Sequence, residues 1–73
     1  MLKISSIERG STAAKTGLKK DDLIVEFNGQ PAVDMLDVAY FDSQSEFTVG
    51  ITRGDKKLTF GVKKDVNEPM GWD

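Results

Sequence analysis

The chain has 73 residues, 38% of them hydrophobic and 30% charged, and its ten basic and twelve acidic side chains give a net charge of -2. That leaves room for a single domain, expected over residues 1–73, too apolar for a disordered tail, too polar for a membrane span and without a basic face for nucleic acid. The absence of Cys and His excludes disulfides, Cys/His zinc sites, iron–sulfur ligation, thiol nucleophiles and Ser-His or Cys-His catalytic pairs from this segment.

In chain order, Leu2, Ile4 and Ile7 predict a first strand, interrupted by Ser5 and Ser6. Met1-Leu2-Lys3-Ile4-Ser5-Ser6 holds no apolar run of signal-peptide length, and a cytoplasmic setting is expected. Ser11 is placed to cap a short helix over Thr12-Ala13-Ala14-Lys15-Thr16, and Gly17 to end it in the left-handed conformation, with Leu18 as the apolar contact after the stop. Asp22-Leu23-Ile24-Val25-Glu26-Phe27 reads as a strand with apolar residues on both faces, hence a central one. It ends at the turn dipeptide Asn28-Gly29, and Gln30-Pro31-Ala32-Val33 returns as a short edge strand.

Asp34 is an N-cap candidate for a second helix through Phe41. Leu36, Ala39 and Tyr40 share a face at spacings of three and four, which predicts that this face meets the sheet, while Phe41 could join either surface. Phe47, Val49 and Ile51, then Leu58, Phe60 and Val62, alternate with polar residues or Gly. They predict an antiparallel hairpin across a four-residue connection, Arg53-Gly54-Asp55-Lys56. The tail over 65–73 carries the chain's one Trp beside a Gly, as Met70-Gly71-Trp72.

Most of the chemically suggestive patterns have simpler explanations. Gly10-Ser11-Thr12-Ala13-Ala14-Lys15-Thr16-Gly17 resembles a phosphate loop, but Ala14 stands where the second Gly must be, and a capped helical turn accounts for it. Arg53-Gly54-Asp55 spells an adhesion tripeptide and also an ordinary turn. Asp21, Asp22, Asp34 and Asp37 lack the spacing of a calcium loop. All acids other than Glu26 are expected in turns, caps or exposed strand positions, which leaves no carboxylate pair for acid–base work; no catalytic residue and no metal ligand is assigned. Met70-Gly71-Trp72 is different. A Gly between two large apolar residues lets the chain present backbone amides that can hold a carboxylate, although Trp72 could instead plug the end of a barrel.

Taken together, Arg9-Gly10-Ser11-Thr12-Ala13-Ala14-Lys15-Thr16-Gly17-Leu18, the segment from Lys19 to Ala32 with its Asp22-Leu23-Ile24 and Asn28-Gly29, and the Arg-Gly-Asp-Lys hairpin resemble the PDZ domain family of bacterial type. Thr12 replaces a Pro of that pattern and Asp21 a Gly, which Asp can mimic because it tolerates the left-handed region. The resemblance implies an α+β, mainly β fold: a small, partly open antiparallel barrel or sandwich of about five strands with two short helices. It also implies a non-catalytic module that takes a partner's C-terminal peptide as an added strand, its carboxylate held by an amide loop. Residue by residue, Met70, Gly71 and Trp72 would form that loop, and Met35 and Val38, off the core-facing stripe, would line the helix side of the groove.

With the loop at the end of the chain, the resemblance is to a permuted PDZ domain whose groove strand would follow Trp72, and the chain is expected to be a piece cut where the groove would be completed. Ile4-Ser5-Ser6-Ile7, the run from Asn28 to Asp37 and Met70-Gly71-Trp72 are similar to the N-terminal PDZ-like domain of bacterial radical-SAM proteins with an uncharacterised C-terminal region. On that resemblance the iron–sulfur cluster belongs downstream, and this segment needs no cofactor. The implied partner is a C-terminal peptide or the parent's own downstream domain, with neither nucleic acid nor membrane involved. Site-2 metalloproteases and periplasmic serine proteases carry similar permuted domains and stay open as parents.

Overall fold

The computed structural model describes residues 2–73; Met1, which opens the expected domain, lies outside the described residues. The elements are β1 (Leu2–Lys3), α1 (Thr12–Thr16), β2 (Leu23–Phe27), β3 (Gln30–Pro31), α2 (Met35–Asp42), β4 (Glu46–Arg53) and β5 (Lys56–Lys63). All strand pairs are antiparallel, in the order β1-β2-β4-β5 with β3 attached to β2. The result is the expected mainly β, five-stranded α+β fold with two helices. The first strand is shorter than predicted: only Leu2 and Lys3 pair with β2, while Ile4 is buried in the core and Ile7 forms an isolated bridge to Trp72.

Local chemistry accounts for the elements where the predictions succeed. The Ser11 side chain accepts from the Ala14 amide at 3.2 Å, and Gly17 (φ +112) closes α1. Asp21 takes φ +76, the conformation its Gly-like position requires. The hairpin is tighter than the four-residue connection expected. Arg53 pairs with Lys56, so that only Gly54 and Asp55 turn, with Gly54 at φ +62 as a two-residue loop with Gly first demands.

The core is organised by an irregularity in β2. Ile24 lies opposite Ile51, but Glu26 lies opposite Gly50, so one extra residue, Val25, is inserted against β4. Strict alternation would send Phe27 to the face opposite Ile24. The bulge returns it inward, and both residues are buried together with Phe47, Val49, Ile51 and Val62. Phe27 then stacks on Phe41 of α2 at 4.6 Å and meets Phe47 at 6.0 Å and Trp72 at 6.1 Å edge-on. Glu26, turned outward, covers Gly50, where a Cβ would collide with its side chain.

The predicted orientation of α2 is overturned. Leu36 is 78% and Tyr40 60% exposed, and Ala39 is exposed too, whereas Val38 and Phe41 pack against the core. Phe41 goes inward because Phe27 offers it a ring to stack on. The helix start is fixed by a capping box, with Asp34 accepting from Leu36 N at 2.9 Å and Asp37 accepting from the Asp34 amide.

A second correction concerns Asp22, which opens the predicted strand and was expected, like every acid but Glu26, in a turn, cap or exposed strand position; it is 1% exposed. Its carboxylate accepts two hydrogen bonds from Arg53, from Nε and Nη2 at 2.8 Å each, and one from the Lys19 amide at 2.8 Å. Arg53 Nη2 also donates to the Gly17 carbonyl at 3.0 Å, tying the end of α1 to the hairpin. The Arg53 hydrogen bonds hold the Asp22 carboxyl below its ordinary value; burial opposes this, and the hydrogen bond from the Lys19 amide lowers it further. Because the folded-state value is depressed, the stabilisation is complete above the unfolded carboxyl pKa of about 3.9 and is lost as pH falls through the folded value. Asp22→Asn is expected to cost about 2 kcal/mol at neutral pH, less than a fully buried pair because Arg53 is partly exposed. In urea denaturation the gap between the two proteins should shrink towards about pH 2; a gap of equal size at both pH values contradicts this role for the pair.

Candidate functional site

The tail does not hang free. Met70 is fully buried, its carbonyl accepts from Ala13 N at 2.9 Å, and its amide donates to Asp42 Oδ1 at 2.7 Å. Thr12 Oγ1 donates to Glu68, and Lys64 Nζ donates to the Asp42 carbonyl at 2.6 Å, where the exposed carbonyls at the end of α2 favour a cation. The end of α2 is thereby fastened to the segment that carries Met70, Gly71 and Trp72.

Gly71 is required where it stands. It takes φ +81, and a Cβ there would collide with Ser11. The turn brings the last residues alongside Ser5–Glu8. Glu8 N donates to the Gly71 carbonyl at 2.8 Å, Asp73 N to Ser6 O at 3.1 Å, and Ser5 N to Asp73 O at 2.8 Å, flanking the bridge of Ile7 with Trp72. In such a pair the bridged residues do not bond each other, so the Trp72 N–H and C=O point away from Ile7, to the open edge of the tail. Among the described residues, neither the Gly71 nor the Trp72 amide donates a hydrogen bond. The Met70 amide is already taken by Asp42.

Beside this edge lies a small cleft lined by the apolar side chains of Leu2, Ile4, Ile24, Met35, Val38 and Trp72 together with the charged Lys3 and Asp73, with room for about 30 Å³. Of the five residues singled out from the sequence, Met35, Val38 and Trp72 meet at this cleft. Gly71 adjoins it through the chain, and Met70 is not among its lining residues but is buried in the core. Val38 reaches the cleft from the core-facing stripe of α2 and not from outside it, as the helix prediction had required. Leu2, Ile4 and Ile24 were missed as lining residues; the antiparallel pairing of β1 with β2 that brings them here leaves no local signal. The aspartates weighed as cation ligands are otherwise engaged: Asp22 with Arg53, Asp34 and Asp37 in the capping box, and Asp21 with Lys3 at 3.5 Å.

A family model for the PDZ domain matches residues 3–53. The chain belongs to the PDZ domain family. It is therefore a protein-interaction module, of a family whose members are generally not catalysts. No curated protein matches the chain. The matched residues run from Lys3 of β1 to the end of β4 and include both helices of this PDZ domain, whereas β5 and the Met70-Gly71-Trp72 tail lie beyond them. Among the described residues no helix is long and apolar enough to cross a membrane.

Gly71→Ala tests whether the tail geometry is built in. A side chain at a left-handed position costs about 1–2 kcal/mol before the collision with Ser11 is counted. Amide hydrogen exchange should show protection lost at Glu8 and Asp73 while the β4–β5 ladder stays protected; unchanged protection at both amides contradicts the requirement for Gly.

Proposed function

We propose that this PDZ domain binds an extended segment of a partner protein between α2 and the tail. An apolar side chain enters at Met35, Val38 and Trp72, and a terminal carboxylate is held by the Gly71 and Trp72 amides. The observation that carries this reading is the pair of undonated amides at a left-handed Gly beside an apolar cleft. Met70 serves as the buried anchor of the loop, since its own amide is committed to Asp42. The cleft has room for about 30 Å³, roughly one water, so binding requires the Met35 side chain to move. That side chain is unbranched and 63% exposed, which makes the movement cheap.

The parent we infer is a bacterial radical-SAM protein, on the resemblance of Ile4-Ser5-Ser6-Ile7, the run from Asn28 to Asp37 and Met70-Gly71-Trp72. On that reading the domain is of the permuted type, acts in the cytoplasm, needs no cofactor of its own, and the iron–sulfur ligands belong to other parts of the parent. The tightness of the cleft favours a second version, in which the segment received belongs to the parent's own downstream domain. A regulatory PDZ domain of a site-2 metalloprotease or a periplasmic serine protease is the alternative parentage. The coding sequence beyond Asp73 separates them: C-x-x-x-C-x-x-C is expected, and H-E-x-x-H contradicts the radical-SAM parent.

Titration of the ¹⁵N-labelled chain with a pool of peptides carrying free C-terminal carboxylates should give saturable shifts at Gly71, Trp72 and Met35. The same pool with amidated C-termini should bind at least tenfold more weakly, since a charge-assisted bond to the amide loop is lost (about 1.5–3 kcal/mol). No shift at millimolar peptide contradicts free-peptide binding.

A further inference from the structure

β5 is an edge strand. It runs eight residues, Lys56 to Lys63, in unbroken register with β4 and has no strand on its other side. Because Arg53 and Lys56 flank a two-residue turn, they exchange hydrogen bonds, and counting by twos along the register assigns the inward backbone groups to Lys56, Leu58, Phe60 and Val62. The N–H and C=O of Lys57, Thr59, Gly61 and Lys63 therefore point to the free edge, and among the described residues nothing bonds them there. Proteins commonly blunt such an edge by shortening it, bulging it, covering it or placing lysines along it. β5 is neither short nor bulged; its lysines discourage pairing with a like-charged edge but would attract an acidic strand.

Two further features of this edge concern its occupant. Gly61 is not demanded by the fold: its backbone is not left-handed, and a Cβ added there would meet nothing within 4 Å. Gly61 lies in the floor of a shallow depression of about 370 Å³ that it shares with Asn28, Thr48 and the Glu46–Lys63 pair. A strand glycine of this kind marks a place where another chain comes close, and an aromatic side chain of a neighbouring strand can fill the gap. The charge here also differs from the rest of the chain. Lys56, Lys57 and Lys63 are exposed, and among the described residues none has a carboxylate within salt-bridge distance, although the chain as a whole is net acidic.

We propose that the free edge of β5 receives an extended acidic segment of a partner protein as an added strand, with an aromatic residue over Gly61 and carboxylates opposite Lys57 and Lys63. A second copy of this chain is the poorer occupant, because self-pairing would bring the lysines of two edges together. The surface is separate from the α2–tail cleft and does not depend on it.

The probe is the heptapeptide Glu-Val-Tyr-Val-Thr-Val-Glu, acetylated and amidated so that it offers no terminal carboxylate to the Gly71 loop. Titrated into the ¹⁵N-labelled full chain, it should shift the Lys57, Thr59, Gly61 and Lys63 amides and slow their hydrogen exchange. Thr59→Pro removes an outward N–H without breaking a bond to β4, so it should leave the fold intact and abolish the shifts. Reversing both charges with Lys57→Glu and Lys63→Glu should weaken binding about tenfold. Shifts confined to Met35, Val38 and Trp72, binding unaffected by Thr59→Pro in a folded variant, or dimerisation of the unliganded chain through β5 would each overturn the proposal.

Discussion

The single extra residue at Val25 decides where Phe27 points, and the rest of the domain is arranged around that ring. With Phe27 inward, α2 has a stacking partner for Phe41, β4 contributes Phe47 to the same cluster, and Trp72 closes over it from the tail. Without the bulge the β2 alternation would leave Phe27 on the exposed face and α2 with nothing aromatic to lie on. The helix and the tail are therefore not independent additions to a sheet. They are two lids on one side chain, and the cleft between them exists because both rest on it.

Polar contacts then fix what the apolar cluster only gathers. At one end of the domain, Asp22 and Arg53 join the loop after α1 to the hairpin. At the other, Asp42 holds the Met70 amide while Lys64 holds the Asp42 carbonyl, so the end of α2 and the tail cannot separate without uncovering buried polar groups. The chain has no Cys, no His and only a small core, and it accomplishes this with backbone groups and four charged side chains. The same economy suits a PDZ domain. Recognition by backbone amides and strand addition needs no reactive side chain, only a Gly in the right place and an edge left open.

The parts of the fold legible in the sequence were those set by neighbours in the chain. Ser11 and Gly17 bound α1, Asp34 starts α2, Asn28-Gly29 turns the chain, and the alternation around Phe47 and Leu58 makes the hairpin, each for a local reason. The face of α2 was not legible. Met35, Leu36, Val38, Ala39, Tyr40 and Phe41 surround the helix with apolar groups, so periodicity selects no side, and the choice is made by a ring in β2 whose own direction depends on a bulge. Asp22 was misread for a similar reason: its partner Arg53 is 31 positions away. At the candidate site, the Gly71 conformation could be anticipated from Met70-Gly71-Trp72, whereas Leu2, Ile4 and Ile24 come to the cleft only through strand pairing.

The dependence of the helix and the tail on Phe27 is open to direct observation in solution. A nuclear Overhauser spectrum of the full chain should connect the Phe27 ring protons with those of both Phe41 and Trp72, whose ring centres lie 4.6 and 6.1 Å away. Cross-peaks from Phe27 to Glu26 and Gly50 protons on the outer face, with none to Phe41 or Trp72, would contradict the account.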